Sequence, residues 1–277
     1  MSSAVPLVQD GFHAWSPPEA RRPIAEDPRL GSPEAAEVER RAADWEIVQI
    51  DRPGWRRIST PLGRIYGDIG ISALRRLGAY LEDFDQMYRT AGLGNRLSGR
   101  YQVRIFRERK EFCSYAACLG AANAQSLYDP KTGEIGLWFD EAEVDLAWLE
   151  GIFAHEVTHA WMDLVWQRTG PLWFAEGMAE YFASFRWEGD VPVPGQAKPE
   201  LVALAQLERM PLARLVSIPR DEMYGPEWPR HYALAWSVVH YLQTRVPDFV
   251  GRLLAGRGNI PEPEAIDATW WAYVEAL

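Results

Sequence analysis

The hydrophobic rhythm of the chain changes along its length. Between 44 and 69, DWEIVQID, GWRRIST and GRIYGDIG are short runs rich in β-branched and aromatic residues, separated by Pro and Gly turns, and they predict strands. From 71 to 91 the period lengthens. Leu74, Leu77, Leu81, Phe84, Met87 and Tyr88 recur at helical spacing and predict one long amphipathic helix. YQVRIFR (101–107) alternates like a strand, RKEFCSYAACLG reads as a helix ending at Gly120, and TGEIGLWFD (132–140) reads as a hairpin turn entering a strand. The second half is helical. A strongly apolar helix runs from Leu146 to Trp166 and is broken at Gly170 and Pro171. Further helices follow over 173–187, 199–209 and 231–246, with a Pro/Gly loop at 189–198. Strands first and helices second predict an α+β fold.

Residues 1–40 carry Pro6, Pro17, Pro18, Pro23, Pro28 and Pro33 among charges and read as an extended or partly disordered leader, with a short helix allowed over 34–43. Residues 41–277 then form a single domain, a length that can bury a substantial core. The start of the chain lacks a basic segment followed by an apolar one, and no uncharged run is long enough to cross a membrane. The expectation is a cytoplasmic protein with no membrane partner. Net charge is -10 without a Lys/Arg cluster, so nucleic acid is not an expected partner. The 13 Trp imply indole-rich packing or an aromatic cleft. Cys113 and Cys118 lack metal-site spacing and are expected to be free buried thiols.

The chemistry concentrates in the apolar helix, at His155-Glu156-Val157-Thr158-His159. Histidines at i and i+4 lie on one face, one turn apart, so their ring nitrogens can converge on one ion. Neutral imidazole suits Zn²⁺. Glu156 points about a quarter turn further round, beside the ion rather than at it, where it can take a proton from a metal-activated water. A catalytic zinc needs a third protein ligand. Glu176 and Glu180 sit at i and i+4 in the apolar run WFAEGMAEYF. One can bind the metal while the other accepts the N–H of a ligating His and fixes its tautomer. A solvated surface carboxylate remains the alternative for Glu180.

HEVTH followed by WFAEGMAEYF resembles the gluzincin branch of the zincin metallopeptidases, the group of thermolysin and aminopeptidase N. SLYDPKTGEIGLWFD and HYALAWSVVHYL extend the resemblance over about 100–277, and more loosely over 44–100. It implies a zincin-like domain, with a small mixed sheet packed on a mainly helical half and the active-site helix between them. It implies one Zn²⁺ held by His155, His159 and Glu176, with Glu156 as general base. The Tyr that such relatives place at the head of a later helix corresponds to Tyr232, the expected donor to the developing oxyanion. An ordinary buried Tyr is the alternative. His231 is a neighbouring candidate and Tyr224 a weaker one. His240 reads as structural, and His13 lies in the leader.

The resemblance also implies a peptide or protein substrate, paired with an edge strand before the active helix. Residues 134–140, or AANAQS at 121–126, could supply that strand, with Asn123 and Gln125 adding contacts. The G-x-M-E-N segment that anchors a free amine in aminopeptidase relatives does not occur. Three readings follow: an endopeptidase-like zinc hydrolase, an aminopeptidase with another amine anchor, and a non-catalytic zinc-binding module. The intact Glu156 argues against the third.

Overall fold

The alternating residues of the first half build a six-stranded mixed sheet. Its strands are β1 (Glu46–Gln49), β2 (Arg56–Ser59), β3 (Gly63–Gly67), β4 (Tyr101–Phe106), β5 (Ser126–Asp129) and β6 (Glu134–Trp138), in the spatial order β1-β2-β3-β4-β6-β5. The computed structural model describes residues 33–91, 100–121, 124–140, 146–166, 171–189, 191–246, 249–254 and 259–277. β3, β4 and β6 run parallel, and the other pairs are antiparallel. Parallel neighbours need a crossover. Helix α2 (Ile71–Thr90) lies between β3 and β4 in the chain, and α3 (Arg109–Cys118) follows β4.

Register explains the core. Ile47, Ile58, Ile65, Val103, Ile135 and Tyr128 are successive cross-strand partners, so a period of two puts all six on one face. They join the main hydrophobic core, and full burial of each aliphatic member contributes about 1.5–3 kcal/mol. The predicted apolar stripe of α2 is buried against the same core. On the opposite face, Trp55, Phe106, Phe112, Ala116 and Leu127 form a smaller cluster.

The second half supplies α4 (Leu146–Trp166), α5 (Leu172–Ala183), the hairpin β7 (Arg186–Glu188) and β8 (Val191–Val193), then α6 (Pro199–Gln206), α7 (Leu212–Val216), α8 (Arg220–Met223), α9 (Trp228–Arg245), α10 (Phe249–Leu254) and α11 (Pro263–Glu275). This is a mixed α+β architecture, with the sheet built from the first half and most helices from the second. Helix α4 touches β5 and β6 on one side and α2 and α5 on the other. Three tyrosines fasten it, one of them Tyr80 of α2, which donates to the Glu150 carboxylate. Tyr128 of β5 donates to Asp163 at 2.7 Å. Thr158 spends its proton on the Ala154 carbonyl, so Tyr88 of α2 donates to the Thr158 oxygen at 2.9 Å.

Gly177 sets the approach of α5 to α9. A Cβ there would stand 2.5 Å from the Ala235 carbonyl oxygen, closer than any side chain tolerates. Only glycine lets the two backbones meet at this point.

Several expectations need correction. The helix predicted over 173–187 stops at Ala183, where the Ser184 hydroxyl and N–H bond the carbonyls of Tyr181 and Glu180. Arg186–Glu188 then turns into a strand that pairs with Val191–Val193, inside the segment read as a loop. Residues 134–138 are an interior strand, because the preceding β5 folds back outside them and takes the edge. Cys113 is half-buried and Cys118 exposed, though both are free. Helix α3 turns Phe112 and Ala116 inward instead, which leaves the cysteines on its flanks. Of the leader, 1–32 lies outside the described residues, whereas Pro33–Arg41 forms helix α1, tied to α2 by Arg41 through Glu82 and Asp83. Among the described residues no helix is long and apolar enough to cross a membrane.

Candidate metal centre

The site forms where α4, α5, β5 and the α8–α9 segment meet. Helical spacing carries His155 and His159 to one face of α4, and their Nε2 atoms stand 3.1 Å apart. Glu176, in the second turn of α5, brings Oε2 to 3.4 Å from each of these nitrogens. Ligands bound tetrahedrally at about 2.0–2.1 Å are separated by about 3.3–3.4 Å. The two separations to Glu176 match that spacing and the one between the histidines is slightly shorter, so the group could hold a metal ion.

The donor atoms fit a cation chemically as well. Glu176 is 3% exposed, and its Oε2 takes no hydrogen bond. An orphaned carboxylate oxygen is costly in the interior unless a positive charge faces it. Glu180, one turn further along α5, accepts from His155 Nδ1 at 3.0 Å. That bond points the Nδ1 proton at Glu180 and turns Nε2 toward the cluster.

The ionisation of the ligands is coupled. Burial opposes a charge on His155, but the facing carboxylates of Glu176 and Glu180 more than offset it and hold its pKa well above the imidazole value. Burial likewise opposes charge on Glu176, and the imidazoles of His159 and His155 override it, holding the acid well below the usual carboxylate range. A proton and a metal ion therefore compete for the same atoms.

Glu156 is 5% exposed and lies beside the ligands, and its Oε1 accepts from the Ser126 hydroxyl at 2.5 Å. Alternation explains the contact: Ser126 and Tyr128 of β5 share the face toward α4, while Leu127 packs on the other side of the sheet. The site thus includes a residue from the strand at the sheet edge.

Helices α8 and α9 close the opposite side with aromatic rings. Tyr232 stacks on His155, with centroids 5.7 Å apart and planes within 8°. Trp228 meets Tyr232 edge-on at 5.1 Å, and Tyr224 does so at 6.4 Å. The Tyr224 hydroxyl donates to Glu176 Oε1 at 2.7 Å. Burial, with Glu176 beside them, pushes both phenols above their ordinary pKa, so both remain protonated donors at neutral pH.

No protein-family model matches this chain, and no curated protein matches it either. The reading of the site therefore rests on its own atoms. The structure brings together His155, His159, Glu176, Glu156, Glu180 and Tyr232. His231 is buried, and its Nδ1 has no hydrogen-bond partner; among the described residues no bond or ring contact joins it to the cluster. His240 donates from Nε2 to the Gly195 carbonyl and accepts from Tyr273 at Nδ1, tying α9 to α11 and to the loop after β8. Asn123 and His13 lie outside the described residues. Gln125 is half-buried at the entry to β5. From sequence Ser126 is only the last residue of the candidate edge strand 121–126, whereas β5 starts there, and Tyr224 ranks below Tyr232. The alternation of SLYD carries a signal for Ser126, since it pairs Ser126 with Tyr128 on one face. No local pattern points to Tyr224.

Proposed function

We propose that this chain is a zinc-dependent hydrolase of peptide bonds with a zincin-like domain, endopeptidase-like in its action. One observation carries the reading: two imidazole nitrogens and an unpartnered carboxylate oxygen converge at metal-ligand spacing, next to a buried glutamate that is not a ligand. A purely structural metal site has no use for that glutamate. Bound zinc supplies a Lewis acid for a carbonyl and brings a water's pKa toward neutrality.

The residues divide the remaining work. Glu180 holds His155 in the tautomer that ligates. Ser126 holds the Glu156 carboxylate in one orientation. Glu156 takes a proton from the attacking water and returns it to the leaving amine. The protonated Tyr232, stacked on His155, donates to the carbonyl oxygen as negative charge develops there. Among the described residues no further strand pairs with the outer edge of β5, beside Glu156, which suits it to an extended peptide main chain.

Zinc stoichiometry, combined with chelator-sensitive cleavage of a mixed peptide library, tests the proposal. One zinc per chain and cleavage that stops on chelation are expected. A bound metal with no turnover on any peptide would sink the hydrolase reading and leave a zinc-binding module.

A further inference from the structure

We infer that Tyr224 is a positioning residue for the metal: its hydroxyl occupies Oε1 of Glu176, so that Oε2 alone is presented to the two histidines. The inference rests on the proposed metal site and concerns how its third ligand is held.

A glutamate carboxylate is a two-sided ligand. Its terminal torsion is broad, so an untethered carboxylate can offer either oxygen or both to an ion. At Glu176 the two oxygens are distinguished. Oε1 accepts the Tyr224 hydroxyl at 2.7 Å, while Oε2 has no hydrogen bond and stands 3.4 Å from the Nε2 of both His155 and His159. The phenol thus masks one oxygen and leaves the other free. A single carboxylate oxygen with two imidazoles keeps the fourth tetrahedral position open, whereas a second oxygen would crowd it.

Tyr224 is itself held in place. It caps α8, with its N–H bonded to the Arg220 carbonyl at 3.1 Å. The Arg220 guanidinium covers its ring at 4.9 Å, and the ring meets Tyr232 edge-on. The two phenols therefore have different tasks. Tyr224 is committed to a ligand, whereas the Tyr232 hydroxyl makes no hydrogen bond among the described residues and is free to meet substrate.

The test measures zinc affinity by competition with a chromophoric chelator, for the wild type, Tyr224→Phe and Tyr232→Phe. Removing the hydroxyl of Tyr224 should weaken zinc binding by about 10–100-fold, the usual effect of losing a group that orients a ligand. Tyr232→Phe keeps the stacked ring and should bind zinc like the wild type. The metal-free melting temperature of Tyr224→Phe should fall modestly, since the ring contacts survive but buried Glu176 Oε1 loses its donor. Visible spectra at saturating cobalt(II) report the folded, loaded protein whatever its affinity. The wild type should show the intense bands of four-coordination, and Tyr224→Phe the weaker bands of a higher coordination number. Wild-type affinity together with a wild-type cobalt spectrum in Tyr224→Phe would overturn the inference alone. A wild type that fails to bind zinc would overturn it together with the proposed function. A wild type that binds zinc but cleaves no peptide sinks only the hydrolase reading, and the affinity ratio still decides the role of Tyr224.

Discussion

Gly177 follows Glu176 directly and marks a close approach of α5 to α9. Replacing it with alanine sets two physical effects against each other. Alanine in a helix interior is favoured over glycine by about 0.5–1 kcal/mol. Yet the new Cβ would lie 2.5 Å from the Ala235 oxygen and 2.8 Å from its carbon, against an ordinary contact of 3.4 Å or more. Both atoms are backbone, so no rotamer change relieves the overlap, and the helices must part by about 1 Å in a well-packed interior. Overpacking of this kind costs about 1–3 kcal/mol. Gly177→Ala should therefore destabilise the protein by about 1 kcal/mol. Gly151 in α4 supplies the control. Nothing lies within 4 Å of a Cβ placed there, so Gly151→Ala should stabilise by the propensity term alone. The same chemical change is thus expected to have opposite signs at two helical positions. Urea unfolding of the metal-free protein at a common m-value reads both. Equal stabilisation by the two substitutions would refute the close α5–α9 contact. Parting the helices also separates Glu176 from its aromatic wall, so Gly177→Ala should lose zinc affinity while Gly151→Ala keeps it.

Other outcomes follow from single contacts. Glu156→Gln should retain one zinc per chain, while peptide cleavage falls by about 10²–10⁴-fold, read by metal analysis and a peptide-release assay. Full activity would remove Glu156 from the mechanism. Removing zinc with a chelator should lower the melting temperature, since free zinc at 100 times Kd stabilises the folded state by about 2.7 kcal/mol. A melting temperature indifferent to zinc would argue against the site. Asp267 accepts the Leu212 N–H at 2.6 Å and pairs with Arg209 at 2.7 Å, the N–H bond chief among the contacts that hold it below the usual carboxylate range. Its stabilisation is present above the unfolded pKa of about 3.9 and is lost as pH falls through the lower folded value. Asp267→Ala should thus cost about 1 kcal/mol at neutral pH, with the gap to wild type closing in acid, as followed by denaturation across pH.

What the chain discloses of itself depends on how local the determinant is. The stripe Leu74, Leu77, Leu81, Phe84, Met87 and Tyr88 is visible at helical spacing and is buried as that spacing requires. His155, Glu156 and His159 are adjacent in sequence, so one turn of helix fixes their relation. The hairpin after Ala183 is different. FASFRWEGDVPV is apolar enough to extend a helical reading, and pairing between Arg186–Glu188 and Val191–Val193 ends the helix instead. Strand order is equally non-local. Nothing within SLYD or EIGLW says which will lie outside the other, although that choice decides which strand takes the sheet edge beside Glu156. Tyr224 reaches Glu176 across 48 residues of chain, through a bond that no periodicity announces.

The same distinction separates metal from substrate. The candidate ligands follow from residue type and spacing along α4 and α5, whereas the orientation of Glu176 and the placement of the proposed transition-state donor both depend on the α8–α9 segment. Tyr224 grips Glu176 from the end of α8, and Tyr232 lies on His155 from the first turns of α9, with Trp228 packed against it. Gly177 admits α9 close enough for both contacts. One short stretch thus touches two of the three candidate ligands and, among the described residues, presents a phenol without a hydrogen-bond partner at the place where charge would develop in the proposed reaction. Its geometry couples the affinity of the metal to the reactivity of the proposed centre, and a shift of α9 would change both together. In the proposed reading the β5 edge sets what main chain can approach, independently of the candidate ligands. Substitutions that displace the 220–236 backbone should therefore move zinc binding and turnover in parallel, whereas Tyr232→Phe, which keeps the stacked ring, should lower turnover alone. Substitutions along β5 other than Ser126 and Tyr128 should change which peptides are cut and leave zinc binding alone.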